Sequence, residues 1–179
     1  HTSGKRRLLT RAGAWPSEST SPRPQQINGQ IRTRTQRRKG AKAQQGKSTP
    51  DEDVPENRIA RQIVDAAIEV HRTLGGPGLL EAIYEEALCW ELEQRGLSVR
   101  RQICVAMKYK DHAIATPLRL DLLVDDVVIV EVKATTGYTP IFESQALTYL
   151  RVTGLRLALV INFGERFVRD GIHRVVNHL

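Results

Sequence analysis

Residues Arg119–Lys133 read RLDLLVDDVVIVEVK. Two apolar, strand-like runs flank Asp125-Asp126, so the stretch reads as two strands joined by an acidic turn. Asp121 lies near the outer end of the first run, and Glu131-Val132-Lys133 closes the second. Val130 and Val132 bracket Glu131, so a carboxylate interrupts what otherwise reads as a buried strand. A carboxylate or an ammonium in such a strand is costly unless each has a partner. A metal ion held by Asp121 and Glu131 is one such partner. The plainer alternative is a surface hairpin whose Glu and Lys form an ordinary ion pair.

Register separates the two readings. If Asp125 and Asp126 form a two-residue turn, Val124 pairs with Val127 and Asp121 faces away from Glu131. An odd loop such as Asp125-Asp126-Val127, or one bulge, sets Asp121 directly opposite Glu131. A metal site requires the second arrangement. Both parities are apolar here, so the sequence leaves the choice open.

Outward from this stretch, charge divides the chain. The 179 residues carry a formal net charge of +7, but residues 1–50 hold twelve Lys or Arg and one acid. The remainder holds fifteen basic and nineteen acidic side chains, a net −4. Charge alone therefore does not mark the folded part as a nucleic-acid binder. Residues 1–52 are rich in Arg, Gln, Ser, Thr, Gly and Pro, without helical or strand periodicity, and are expected to form a disordered basic tail. Arg32, Arg34, Arg37, Arg38, Lys39 and Lys42 within it read as a nucleic-acid arm or as a non-functional extension. The expected domain is residues 53–179. Two cysteines, Cys89 and Cys104, have neither metal-site nor disulfide-framework spacing and read as buried thiols, which fits a reducing cytoplasm. No apolar run approaches a transmembrane length, so no membrane association is expected.

Asp53-Val54-Pro55-Glu56 predicts a helix start with an acidic cap. Ile59, Ile63, Ala67, Val70 and Leu74 give that helix its apolar stripe, and Gly75-Gly76-Pro77-Gly78 stops it. A second helix is predicted from Leu79 to Arg95, with Leu80, Tyr84, Ala87, Leu88 and Leu92 as its buried side and Gly96 as its stop. Val99–Tyr109 alternates as a half-buried strand, with Val99, Ile103, Val105, Met107 and Tyr109 on one side and Arg101 as the exception among them. A turn at Lys110-Asp111-His112 leads into the two central strands. Thr139 caps a further helix, with Pro140 at its first position, that ends near Gly154. Arg156–Phe163 is a buried strand, and Phe167–Val176 a last, short edge strand. The order α-α-β-β-β-α-β-β predicts an α/β sandwich with helices on the faces of a mixed sheet.

Glu131 and Lys133 have equal parity and share a face. Two carboxylates with an adjacent ammonium suit phosphodiester hydrolysis: the carboxylates hold Mg²⁺, and the ammonium orients water or offsets charge on the phosphorane. Glu81 opens the second helix, where a carboxylate also favours the helix dipole. Gln145 and Tyr149, spaced i, i+4, share a face of the later helix, a spacing that a plain surface pair also has. His71, alone on a helix, reads as structural.

The pieces IVDAAIEVHRTLG, GPGLLEAIYEEAL, RLDLLV, VVIVEVKA, ESQALTYL, LALVINFG and DGIHRVV, in that order, span about residues 58–176. Together they resemble the PD-(D/E)XK nuclease superfamily and, more closely, its bacterial family named for the GxxExxY motif. The resemblance implies a three-layer-like mixed β-sheet flanked by helices, the restriction-endonuclease-like core. It implies an active site of Glu81, Asp121, Glu131 and Lys133, with Glu81, Asp121 and Glu131 as ligands of Mg²⁺ or Mn²⁺. Gln145 and Tyr149 match a Q-x-x-x-Y motif of the superfamily's recombination-exonuclease branch and stand as supporting residues. The expected activity is metal-dependent cleavage of DNA or RNA, alone, as a homodimer or with an accessory protein. The alternative is a catalytically silent module of the same fold that binds nucleic acid or a protein partner.

Overall fold

The computed structural model describes residues 54–179 and the backbone of one two-residue strand, β1 (Gln26–Ile27). After β1 come helices α1 (Pro55–Thr73) and α2 (Glu81–Gln94), then strands β2 (Val99–Tyr109), β3 (His112–Val124) and β4 (Val128–Lys133). Helix α3 (Ile141–Thr153), strand β5 (Leu157–Asn162), a 3-10 turn at Val168–Gly171 and strand β6 (Ile172–Val176) complete the chain. The strands lie in sequence order in one sheet. The β2–β3, β3–β4 and β5–β6 pairs are antiparallel, while β4–β5 is parallel. Helix α3 makes the crossover that a parallel pair needs. The expected disordered tail lies outside the described residues, except for β1, which the composition of that region does not foretell. It pairs parallel with β2 at Cys104 and Val105.

Alternation along the strands builds two cores, one on each face of the sheet. Leu122, Val124, Val128, Val130, Val132, Leu157, Leu159 and Ile161 pack against α1 and α2. Leu123, Ile129, Ala158, Val160 and Val175 pack against α3. The α/β fold expected from the sequence is therefore present: a mixed sheet between two helical layers. On α1, Ile59, Ile63, Ala67 and Val70 are buried, whereas Leu74 lies at the exposed C-terminal end. On α2, Tyr84, Leu88 and Leu92 are fully buried, but Leu80 is 74% exposed because the helix starts one residue later, at Glu81.

The local start signals work differently from expectation. No side chain caps α1, whose N-cap is Val54 with Pro55 following. Glu56 is buried and accepts a hydrogen bond from Arg156 Nε at 2.8 Å, joining the start of α1 to the entry of β5. Pro140 precedes α3 as its N-cap, and the Thr139 carbonyl accepts from Phe142 N–H. Phe167 to Gly171 is not strand; the chain turns there before β6. Cys89 is buried, which pushes its thiol up to about 11, and Cys104 is half-buried.

β2 departs from its expected parity. Val99 packs with the α1–α2 core, while Ile103 and Val105 belong to the α3 core. The change falls at Gln102, whose φ is +51°. β3 changes face at the same level: Leu120 and Leu123 both pack toward α3. Register is unaffected, since Arg101 pairs with Leu122 and Ile103 with Leu120. Gln102 and Asp121 are the opposed residues at this irregularity, so the sheet is bent where Asp121 stands.

Candidate active site

The β3–β4 connection is the odd one. Val124 pairs with Val128, Leu123 with Ile129 and Leu122 with Val130, leaving Asp125-Asp126-Val127 as a three-residue loop. Asp125 and Asp126 both have positive φ, 50° and 60°, a conformation Asp tolerates better than most residues. The Asp125 carboxylate accepts from Ser98 N–H at 2.8 Å, and Ser98 C=O accepts from Asp125 N–H at 2.8 Å. Continuing this register by one step sets Asp121 opposite Glu131, the arrangement a shared site requires.

Asp121 Oδ2 accepts from Val132 N–H at 2.9 Å, which ties the carboxylate to β4 beyond the last strand pair. Glu131 is only 2% exposed. Its Oε1 accepts from Lys133 Nζ at 2.7 Å, while its Oε2 is buried without a hydrogen-bond partner among the described residues. Burial pushes the Asp121 carboxyl up to about 6 against the help of the Val132 N–H. Burial pushes Glu131 up to about 7, and the Asp121 charge adds to it. Burial alone would lower the Lys133 ammonium, but its hydrogen bond to Glu131 and the charges of Glu131, Asp121 and Glu81 outweigh that, so its pKa rises. All three shifts have one physical meaning: the cluster is short of positive charge. A proton relieves the shortage, and so does a cation.

Glu81, at the first residue of α2, is exposed and comes from the opposite helical layer. Its charge is felt at Asp121, Glu131 and Lys133. The three carboxylates are not closed into a ligand set, and among the described residues no three His, Cys, Asp or Glu side chains are gathered closely enough to hold a metal ion. The donor chemistry nevertheless fits a hard divalent cation: the buried Glu131 and the half-buried Asp121, both with raised pKa values, one orphaned oxygen and a third carboxylate within electrostatic reach.

On the α3 side, Gln145 Nε2 donates to Tyr149 Oη. The phenol accepts there, so its own proton is left to donate. Tyr149 is buried, and its pKa rises through burial and then through the Glu131 charge, which places the phenol in the electrostatic field of the carboxylate pair. Lys133 Nζ stands 5.6 Å from the centroid of the Phe142 ring.

Three polar residues beyond the motif support the site. Glu85 is buried and accepts from Arg101 Nε at 3.1 Å and Gln102 Nε2 at 2.6 Å, which fixes α2 against the bend in β2. This explains Arg101 on an otherwise apolar parity. Asn162, fully buried, accepts from Thr135 N–H at 3.0 Å and donates to Thr135 C=O at 3.0 Å, clasping the chain just after Lys133. Glu85 lies three and seven residues before the buried Leu88 and Leu92, and Asn162 interrupts the apolar run LALVINF, so both carried a signal in the sequence. Gln102 carried none. Gly164 sits against the same loop: an added Cβ would lie 2.2 Å from Thr135 O. Gly164→Ala is expected to destabilise the domain by about 2–4 kcal/mol, read from urea unfolding; an unchanged midpoint would show that this loop yields.

The glycine turn before α2 has its own anchor. Tyr84 is fully buried, stacks on Phe163 with centroids 4.6 Å apart, donates to Gly76 C=O at 2.7 Å and accepts from Leu79 N–H at 3.2 Å. His71 Nε2 lies 3.1 Å from Glu165 C=O and ties α1 to the loop after β5. Tyr84→Phe keeps the ring and removes both turn contacts. A loss of about 1–3 kcal/mol is expected, with cleavage falling further than stability because Glu81 follows this turn. Full activity in a destabilised variant would separate the turn from Glu81.

No curated protein and no solved structure matches the chain. No helix among the described residues is long and apolar enough to cross a membrane. Residues 57–175, about two thirds of the chain, match the PD-(D/E)XK nuclease superfamily, whose members generally use divalent metal ions to cleave nucleic acid. The match covers every strand from β2 to β5 and nearly all of β6, together with the opposed Asp121 and Glu131 and the Lys133 that follows them. The chain belongs to the PD-(D/E)XK nuclease superfamily.

Proposed function

We propose that this protein is a Mg²⁺- or Mn²⁺-dependent nuclease of the branch named for the GxxExxY motif. The observation that carries the activity is the Asp121–Glu131 pair: a half-buried and a buried carboxylate, opposed when the β3–β4 register is continued by one step, both raised in pKa, one with an orphaned oxygen, beside Lys133. The branch is supported by three linked roles. Gly78 takes φ +115°, Glu81 opens α2, and Tyr84 ties down the turn between Gly76 and Leu79.

Asp121 and Glu131 would hold the ion, with Glu81 completing the set. Bound there, the ion would polarise the phosphodiester and lower the pKa of a water. The chain's own residues do the rest. Val132 N–H holds Asp121 Oδ2, so the carboxylate is oriented before any ligand arrives. Lys133 stays protonated in the field of three carboxylates and offers its ammonium to the charge that develops on the phosphate. Tyr149, its oxygen already bonded by Gln145, supplies an O–H donor, and Phe142 shields the ammonium from water. The Asn162 clasp on Thr135 fixes the strand end that carries Lys133.

The second reading, a catalytically silent module binding nucleic acid or a protein, draws on the direct Lys133–Glu131 ion pair and on the exposed position of Glu81. Calorimetric titration of Mn²⁺ into the full chain, beside a cleavage assay on DNA and RNA, decides between them. Binding with cleavage is the expected result. Binding absent at millimolar ion, with substrate present, leaves the silent module.

A further inference from the structure

The hairpin that carries Asp121 extends well past the sheet. β3 pairs with β4 only at Leu122–Val124, yet β2 and β3 continue together to the Tyr109–His112 pair, turning at Lys110-Asp111. β1 meets β2 only at Cys104 and Val105. Beyond that level, Met107–Tyr109 and His112–Ile114 form a ribbon with no third strand among the described residues. Tyr109 is 65% exposed and Ile114 39%. A bare two-stranded ribbon is marginal in water, and its open edges are a hazard unless something occupies them.

Its charge indicates what that is. Residues 54–179 are nearly balanced, with fifteen basic and sixteen acidic side chains, but Lys108, Lys110 and Arg119 lie on the ribbon and at its base against the single acid Asp111. No carboxylate among the described residues pairs with the three cations. Lys110 Nζ instead lies 5.5 Å from the centroid of the exposed Tyr109 ring. Arg119 stands two residues before Asp121 on the same strand, so a polyanion on the ribbon is continuous with the carboxylate pair.

We infer that the β2–β3 ribbon is the duplex-DNA docking element of this enzyme, lying in the major groove beside the scissile phosphate. The inference rests on the nuclease reading above and names its substrate. The major groove of B-form DNA, about 12 Å wide, admits a two-stranded ribbon. From the Val105–Leu118 pair to the Tyr109–His112 pair the ribbon is about 13 Å long, at about 3.3 Å per residue along β2, longer than the groove is deep. The major groove of A-form RNA is too deep and narrow to admit it. Lys108 and Lys110 meet phosphates, and Tyr109 offers an apolar face to the groove.

The test is fluorescence anisotropy of the full chain, without divalent metal, on a B-form DNA duplex, an RNA duplex of the same sequence and single-stranded DNA. The unmodified chain is expected to prefer duplex DNA over duplex RNA by about tenfold or more. Lys108→Glu/Lys110→Glu, at exposed positions that the fold does not use, should remove that preference and lower the slope of log affinity against log salt by about two. Lys108→Arg/Lys110→Arg should keep both. Equal affinities for DNA and RNA duplexes overturn the inference, as does a charge-reversed variant that binds duplex DNA like the parent. So does a parent that sediments as a dimer and a variant that sediments as a monomer with DNA affinity intact, which would make the ribbon an interface between copies. Cleavage is read separately with Mn²⁺: if the DNA preference is present and the variant removes it, but neither protein cuts, the nuclease reading fails and the docking element stands.

Discussion

Glu131→Gln is expected to abolish cleavage and, in the absence of metal, to make the domain harder to unfold at pH 8. The two effects have one cause. In the fold, burial and the Asp121 charge push the Glu131 carboxyl up to about 7, against an ordinary value of 4.5. Between those values the folded state holds a proton that the unfolded chain has released. Stability therefore falls as pH rises through this window: the contribution is full below about 4.5 and lost above about 7. At pH 8 the native protein carries an ionised carboxylate whose Oε2 has no hydrogen-bond partner among the described residues. Gln has the same shape and never ionises. One pKa unit corresponds to about 1.4 kcal/mol. Against the gain stands the loss of the Lys133 ion pair, so a net stabilisation of about 1–2 kcal/mol is expected at pH 8, and little or none at pH 5. Mn²⁺ should reverse the order, because it stabilises only a protein that binds it. Cleavage should fall to background, at least about a thousandfold. Thermal melts at the two pH values, with and without Mn²⁺, check the first half. A variant less stable than the parent at pH 8, or one still stabilised by Mn²⁺, would sink the reading of Glu131 as a buried ligand. Asp121→Asn should behave in the same direction over a lower window, from 3.8 to about 6.

The fold was legible because its periods are clean. Ile59, Ile63, Ala67 and Val70 mark a helix, and the runs at 128–132 and 157–161 mark buried strands. The decisive opposition of Asp121 and Glu131 was legible only as an alternative. Both faces of β3 and β4 are apolar, so hydrophobicity does not choose the register; a three-residue loop does, through two aspartates in the left-handed region. The bend at Gln102 was invisible, since nothing in a Gln announces a positive φ. Glu56 shows a different limit. Its spacing from Asp53 matches a capping pattern, but its partner is Arg156, one hundred residues away, and local spacing carries no trace of it. Glu85 was readable as a carboxylate on a buried stripe, yet not which partners would satisfy it. Gln145 and Tyr149 were readable as a pair; that the Tyr149 phenol lies in the field of Glu131 comes only from the packing of α3 on the sheet.

Lys133→Met separates the roles of the cluster. Met keeps most of the stem volume against Phe142 and removes only the ammonium. A protonated amine has no lone pair to give a metal, so Lys133 is not a ligand. In the parent, its Nζ occupies Glu131 Oε1 at 2.7 Å and thus competes with a cation for that oxygen. The variant should bind Mn²⁺ at least as tightly as the parent, while its cleavage falls by about 10²–10³, the loss typical of one charge-stabilising donor in a transition state. Without metal, the variant should be the less stable protein at pH 8, because two carboxylates then share the buried site with no cation, and adding Mn²⁺ should restore it. The ordinary ion-pair reading expects otherwise: Lys133→Met and Glu131→Gln would then shift stability in the same direction, and metal would alter neither. Calorimetric titration of Mn²⁺ into the parent and both variants, with single-turnover cleavage alongside, gives all the quantities needed. Tight Mn²⁺ binding with lost cleavage in Lys133→Met, against lost binding in Glu131→Gln, assigns the ammonium to the transition state and the carboxylate to the ion. A Lys133→Met protein that cleaves like the parent would instead make the ammonium a counter-charge that holds Glu131 in the fold until the metal displaces it.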